Sequence, residues 1–300
     1  METMASEQIT IKAPAKVNLS LDITGRREDG YHLVRMLMQS IDLCDEVTVT
    51  RNNSGLITLD CDRPDIPTDS KNIAYRCAAA FFEETEILNS GVHIDIVKQI
   101  PMEAGLGGGS ADGAAVLVAL NVLFGAALTD KALCRIGVKI GADIPFCIIG
   151  GTMLAEGVGD IFTPLPHLTD ECWFVLAKPQ TGVSTAEAYK SFDVQRPKQK
   201  PDTDSLVAAI VSGHLESLGE GLCNVLEEAV DREDIRVLKE KFIECGALGG
   251  VMSGSGSCVF GLFDSKRKAA KCQSELEDEY GEVFLCSPLE QGASAALDEE

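Results

Sequence analysis

Apolar and polar positions alternate with a period of two over residues 9–12, 17–23, 46–51, 56–61 and 92–98, the spacing of half-buried strands. From Ser70 the pattern turns helical: SKNIAYRCAAAFFEET reads as a helix with Ser70 as its N-cap. The segment from Gly109, GSADGAAVLVALNVLF, is apolar on nearly every side, which predicts a helix buried all round. A third helix is expected from Thr129 to about residue 141, capped by Thr129 or Asp130.

Past about residue 160 the pattern changes. TPLPHLTD, with two prolines, reads as a connector, WFVLAKP as a strand, 184–192 as a short helix and VQRPKQKPDTD as a polar loop. Helices then alternate with strands as far as VFLCSP, and EQGASAALDEE reads as a disordered acidic tail. No internal repeat is visible. The chain is therefore expected to be α+β, with domains at 1–160 and 161–290 and a disordered tail at 291–300.

Composition narrows the class. With 300 residues and 45% hydrophobic content the chain can bury two packed cores. Its 47 acidic residues against 26 basic ones give a net charge of −21, which repels nucleic acid and anionic membrane alike. The eleven cysteines form no CxxC pair and mostly fall in apolar runs, so buried free thiols in a reducing compartment are expected rather than zinc ligands. There is no apolar signal core and no run long enough to span a membrane. The expected location is cytoplasmic.

The chemistry concentrates in four stretches. In PMEAGLGGGSADGAAVL (101–117) four glycines fall within 105–109, between a strand and a long helix. Such a loop turns backbone N–H groups toward one anion, and the helix N-terminus adds its positive end. It is not a P-loop, which would need Gly-Lys-Ser/Thr, nor a dinucleotide loop, which would need glycine where Ser110 stands. A tight turn without a ligand would not need this glycine density, so phosphate binding is the better reading.

In PAKVNLSLDITGRREDGYHLV (14–34), Lys16 lies inside an apolar strand, where an ammonium must reach water or find a charge partner. Tyr31 and His32, beside the charged turn from Arg26 to Asp29, are either rings that hold a base or ordinary surface residues. Asp143 in GADIPFCIIGG is either a buried carboxylate with a donor or a structural cap. GGVMSGSGSCVFGLF is either a hairpin tip or a second backbone surface over a ligand.

Taken in chain order, Lys16 in its strand, GLGGGS before a helix, GADIPF and SGSGS resemble the GHMP kinase superfamily from about residue 9 to 286. PAKVNLSLDITGRREDGYH is similar to the branch that phosphorylates the 2-hydroxyl of a cytidine-diphosphate-linked methylerythritol in non-mevalonate isoprenoid synthesis. The alternative is another GHMP small-molecule kinase. The resemblance implies an N-terminal domain with a left-handed βαβ unit, a C-terminal α/β sandwich-like domain, and a cleft site between them. It implies ATP with Mg²⁺, whose protein ligands it does not assign, and a monomer or weak homodimer. Pro101, Gly105, Leu106, Gly107, Gly108, Gly109, Ser110 and Ala111 would wrap the ATP phosphates, with Asn72 and Lys98 near the nucleotide. Lys16 and Asp143 would be the catalytic pair. Asn18, Tyr31, His32 and Tyr189 would recognise the cytidine end. Glu103 and Gly113 depart from the family pattern: Glu103 is expected to turn away from the phosphates, and Gly113 to loosen the helix start.

Overall fold

In the computed structural model, which describes residues 8–169, 171–194 and 197–295, the chain opens with two very long strands. β1 (Gln8–Arg26) and β2 (His32–Arg51) pair antiparallel along their whole length. The strands expected at 9–12 and 17–23 are thus one, broken by a register shift at Pro14, which has no N–H for the ladder. A second shift lies between Asn18 and Ser20.

β3 (Ile57–Cys61), α1 (Ile73–Thr85) and β4 (Val92–Val97) form a βαβ unit whose strands are parallel neighbours. Asn72, not Ser70, caps α1, its side chain accepting from Ala74 N at 2.8 Å. α2 (Gly108–Leu123) is buried against α1, β1 and β2, as its all-round apolar sequence requires. Val116, Leu117 and Leu120 are fully covered, each contributing about 1.5–3 kcal/mol by burial. α3 (Asp130–Gly137), capped by Thr129, and α4 (Ile144–Ile149) complete this helical layer.

β5 (Thr152–Glu156) and β6 (Ile161–Pro164) form a hairpin on β2, so the boundary expected at residue 160 falls inside a hairpin of the first sheet. The connector begins only after Pro164.

The second lobe follows with β7 (Trp173–Ala177), α5 (Thr185–Val194), α6 (Thr203–Ser212) and α7 (Leu215–Gly221). Then come β8 (Cys223–Asn224), α8 (Leu226–Val230), α9 (Glu233–Glu244), β9 (Gly249–Met252), β10 (Val259–Phe263), α10 (Lys266–Glu277) and β11 (Val283–Cys286). Strands in the order β11-β7-β10-β9 make its sheet, against which α9 and α10 pack.

The chain then returns to the first sheet. β12 (Pro288–Leu289) pairs with β2, and β13 (Ser294–Ala295) with Ile11 and Lys12 of β1. Residues 291–295, expected in a disordered tail, are therefore ordered; 296–300 lie outside the described residues. The local reason is glycine. Gly150 and Gly292 pass so closely that a Cβ on Gly150 would sit 2.0 Å from Gly292 N.

Because β2 covers one edge of β1, β13 and β8 must share the other, at Ile11–Lys12 and Ser20–Leu21. Between them that edge is open to loops, and the site is built there.

Candidate active site

The open edge of β1 is closed by both glycine loops. Lys16 N donates to Leu106 O at 3.0 Å, and Asn18 N donates to Ser253 Oγ at 3.2 Å. Ser253 Oγ in turn donates to Gly105 O at 3.0 Å. The SGSGS segment is thus both a hairpin tip, joining β9 to β10, and a second backbone surface against the first loop. Gly105 has φ +72° and passes so near that a Cβ there would lie 2.0 Å from Ser253 O.

Gly107, also at positive φ, is the N-cap of α2, whose first backbone bond runs from Ala111 N to Gly107 O at 2.9 Å. The amides of Gly108, Gly109 and Ser110 therefore have no partner inside the helix, and they stand where its dipole favours an anion. Gly105, Gly107, Gly108, Gly109 and Ser110 line a cavity of about 1040 Å³ between the lobes, at the upper end of small-molecule sites. Pro101, Leu106 and Ala111 are buried beneath the loop instead, as structural support. Gly113 has a packing reason: a Cβ there would come 2.8 Å from Cys77 Sγ on α1.

Lys16 and Asn18 share one face of β1, joined by Leu21 beyond the second register shift and opposite the face given by Ala15 and Val17. Lys16 is 4% exposed, its stem pressed by Gly107 and its ammonium by Gly254. Its Nζ donates to Asn18 Oδ1 at 2.5 Å and stands 3.9 Å from Asp143 Oδ2. The buried lysine has its charge partner. Asp143 precedes α4 without capping it through its side chain, and its carboxylate is about one-third exposed toward the cavity. Asn18, expected at the cytidine end, lines the cavity but is held between Lys16 and Met36 Sδ (3.3 Å), so it orients the ammonium.

At the other end of the cavity lie Tyr31, His32 and Tyr189. Tyr31 is 66% exposed, a flat surface without a cover. The His32 ring lies 4.9 Å from that of Tyr189 and meets Phe192 edge-on at 6.4 Å. Burial, with the nearby Asp143 charge, pushes the Tyr189 hydroxyl up to about 12, so the phenol stays protonated. Asp193, unmarked in the sequence pattern, accepts from both His32 and Arg26.

Two expected nucleotide contacts are occupied elsewhere. Asn72 spends its side chain on the α1 cap and on Pro67 O at 2.8 Å. Lys98 is buried beneath Gly108 and pairs with both Asp45 and Asp112, the latter at 2.7 Å. One ammonium faces two carboxylates. Asp45 also accepts from Gln99 N and Ile100 N, whereas Asp112 Oδ1 has no partner. Burial first, and then the Asp45 charge, outweigh Lys98 and push the Asp112 carboxyl up to about 7. Lys98 is raised by Asp112 and Asp45 despite its own burial. The sequence carried no sign of this trio, because its members lie far apart along the chain.

Glu103 lines the cavity at φ +50°, its carboxylate lying over Gly182 of the second lobe. Among the described residues the one cluster of His and carboxylate suited to a metal, Asp60, His93 and Asp95, is on β3 and β4 outside the cavity. No helix of the described residues is long and apolar enough to cross a membrane.

A backbone anion cradle beside a buried ammonium–carboxylate pair, set between these two sheets, is the arrangement of a GHMP-type kinase. The GHMP kinases N terminal domain model matches residues 72–151, and the GHMP kinases C terminal model matches 206–282. A homoserine kinase of Cytophaga hutchinsonii shares the fold, with TM-score 0.79 at 22% identity over 99% of both chains. The 4-diphosphocytidyl-2-C-methyl-D-erythritol kinase of Clostridium botulinum (strain Alaska E43) is 46% identical over 277 residues, 92% of this chain and 98% of its own. That of Clostridium acetobutylicum is 46% identical over 279 residues, 92% of this chain and 99% of its own. A crystal structure of 4-(cytidine 5'-diphospho)-2C-methyl-D-erythritol kinase superposes with TM-score 0.78 at 32% identity, over 93% of this chain and 99% of that one. The chain belongs to the 4-diphosphocytidyl-2-C-methyl-D-erythritol kinase family.

Proposed function

We propose that this protein transfers the γ-phosphoryl group of ATP to the 2-hydroxyl of 4-diphosphocytidyl-2-C-methyl-D-erythritol, giving the 2-phosphate. The observation that carries the reading is a single cavity with unlike ends: the amides of Gly108 to Ser110 at one, the Tyr31, His32 and Tyr189 rings at the other, and Lys16 with Asp143 among the residues lining it.

Phosphoryl transfer needs an in-line acceptor and compensated phosphate charge more than covalent help. The glycine loop supplies N–H groups to the phosphates without bringing a counter-charge. Asp143 takes the proton of the attacking hydroxyl, and Lys16, steadied by Asn18, holds Asp143 and the developing alkoxide together. The acceptor is a tertiary alcohol, so its placement counts for as much as its deprotonation. Mg²⁺ fits this cavity. Glu103 and Ser110 both line it, and their carboxylate and hydroxyl oxygens are the donors Mg²⁺ prefers. When bound, the ion neutralises charge on the β- and γ-phosphates.

We place the reaction in the cytoplasm, in keeping with eleven free cysteines. We propose a monomer or a weak homodimer. The deciding experiment is coupled ADP release with the cytidine diphosphate substrate, homoserine and mevalonate in parallel. Turnover confined to the first supports the reading. Equal or better turnover of either other alcohol overturns it in favour of another GHMP kinase.

A further inference from the structure

The charged residues around His32 belong to two lobes. Asp193 stands near the C-terminal end of α5, its Oδ1 2.8 Å from His32 Nε2 and its Oδ2 3.0 Å from Arg26 Nη1. Arg26 is itself fixed, donating through Nε to Gly30 O at 3.0 Å. Tyr189, Phe192 and Asp193 are spaced i, i+3 and i+4, one face of α5, and all three meet the same imidazole. The His32 side chain is 12% exposed, so its ring is held on several sides.

This contact settles where the imidazole proton sits. An ionised carboxylate only accepts, so Nε2 must carry the hydrogen in the His32–Asp193 bond. In a neutral ring Nδ1 is then an acceptor. Cytosine offers a 4-amino donor at the position where uracil offers a carbonyl oxygen. An acceptor nitrogen pairs with the first and confronts a lone pair on the second. Stacking on Tyr31 or Tyr189 cannot make that distinction, because every base has a flat face.

We propose that Asp193 is a positioning residue for acceptor choice: by holding His32 as its Nε2–H tautomer, it makes the site select cytidine over uridine. The proposal rests on the cytidine reading above. Asp193 does not line the cavity, and its effect on base choice passes through the ring.

Asp193→Asn tests it, because asparagine keeps the shape and one oxygen for Arg26 but can turn an N–H₂ toward Nε2. The ring then favours the Nδ1–H tautomer, which donates. The kcat/KM ratio of the cytidine diphosphate substrate over its uridine analogue should fall on the order of tenfold or more, the loss from mispairing a directed hydrogen bond. The change should appear in the acceptor KM, with KM for ATP within about twofold of wild type. ¹⁵N NMR of His32 should show the proton on Nε2 in the wild type and shifted toward Nδ1 in the variant. Asp193→Glu should restore much of the preference.

An unchanged base ratio in a folded, ATP-binding Asp193→Asn variant overturns the proposal, as does a wild-type His32 protonated on Nδ1 alone. A wild type that turns over no cytidine substrate sinks the cytidine reading, and this proposal with it. A wild type active on cytidine beside an indifferent Asp193→Asn variant leaves that reading standing and removes only the role of Asp193.

Discussion

Lys16 is where sequence and structure meet most directly. An ammonium inside an apolar strand demands a partner, and the structure supplies Asp143 at 3.9 Å and Asn18 at 2.5 Å. With Asp143 as the proton acceptor, Asp143→Asn should lower kcat by roughly 10²–10⁴-fold and leave KM for ATP nearly unchanged. A steady-state comparison checks this, and a kcat within a few-fold of wild type would take Asp143 out of the chemistry. The buried Lys98, Asp45 and Asp112 make a second residue-scale test. The Asp112 carboxyl is raised in the folded protein from its ordinary 3.8 to about 7. Folding therefore binds a proton between those values, and its contribution to stability is full at low pH and is lost as pH rises through about 7. The Tm of Asp112→Asn, relative to wild type, should shift in the variant's favour between pH 5 and 8. Thermal unfolding across that range measures it, and a flat difference would mean that Asp112 is not the proton holder. Lys16 could be read from its own strand; Asp112 could not. Within GSADGAAV it is one polar residue in an apolar helix, and only the fold shows that it faces Lys98 with a second acid already there.

At the scale of elements, the glycine loop was legible because strand, glycines and helix are contiguous, and local chemistry determines what such a run does. What it pressed against was not legible. Gly105 and Gly55 have nearly the same φ, +72° and +70°, but a Cβ on Gly105 would strike Ser253 O while one on Gly55 would meet nothing within 4 Å. Gly55→Ala should cost only the left-handed backbone term, about 1–2 kcal/mol, and leave kinetics alone. Gly105→Ala should cost more, because it forces the two loops apart, and should raise KM for ATP. Denaturant unfolding together with ATP kinetics on both variants decides, and equal behaviour would dismiss the interlock. Strand ends were less legible than strand cores. The period of two stops at Pro14, yet β1 continues past it through a register shift, because β2 supplies partners on both sides. The α1 cap moved from Ser70 to Asn72 because Asn72 also satisfies Pro67 O, a tertiary gain that no cap rule contains.

Across the whole molecule, the expected cleft between two α+β lobes is present, but the path of the chain end is not the expected one. A small, acidic composition suggests disorder, and it says nothing of two strands already lacking edge partners. β12 and β13 supply them, with Gln39 Nε2 donating to Leu289 O at 3.0 Å and Ala293 N to Cys147 O at 2.8 Å. Each such bond nets about 0.5–1.5 kcal/mol, so ending the chain at Ser287 should lower Tm by at least about 5 °C. An unchanged melting curve would show the return strands to be dispensable. The cavity itself has a further consequence. On the proposed reading its nucleotide half is drawn in main chain, which a point mutation barely alters, whereas its acceptor half is drawn in side chains at the β1–β2 turn and on α5. Inheritance can therefore rewrite one half while the other stays as it was: a lineage can exchange the alcohol it phosphorylates without ever relearning how to hold a nucleotide.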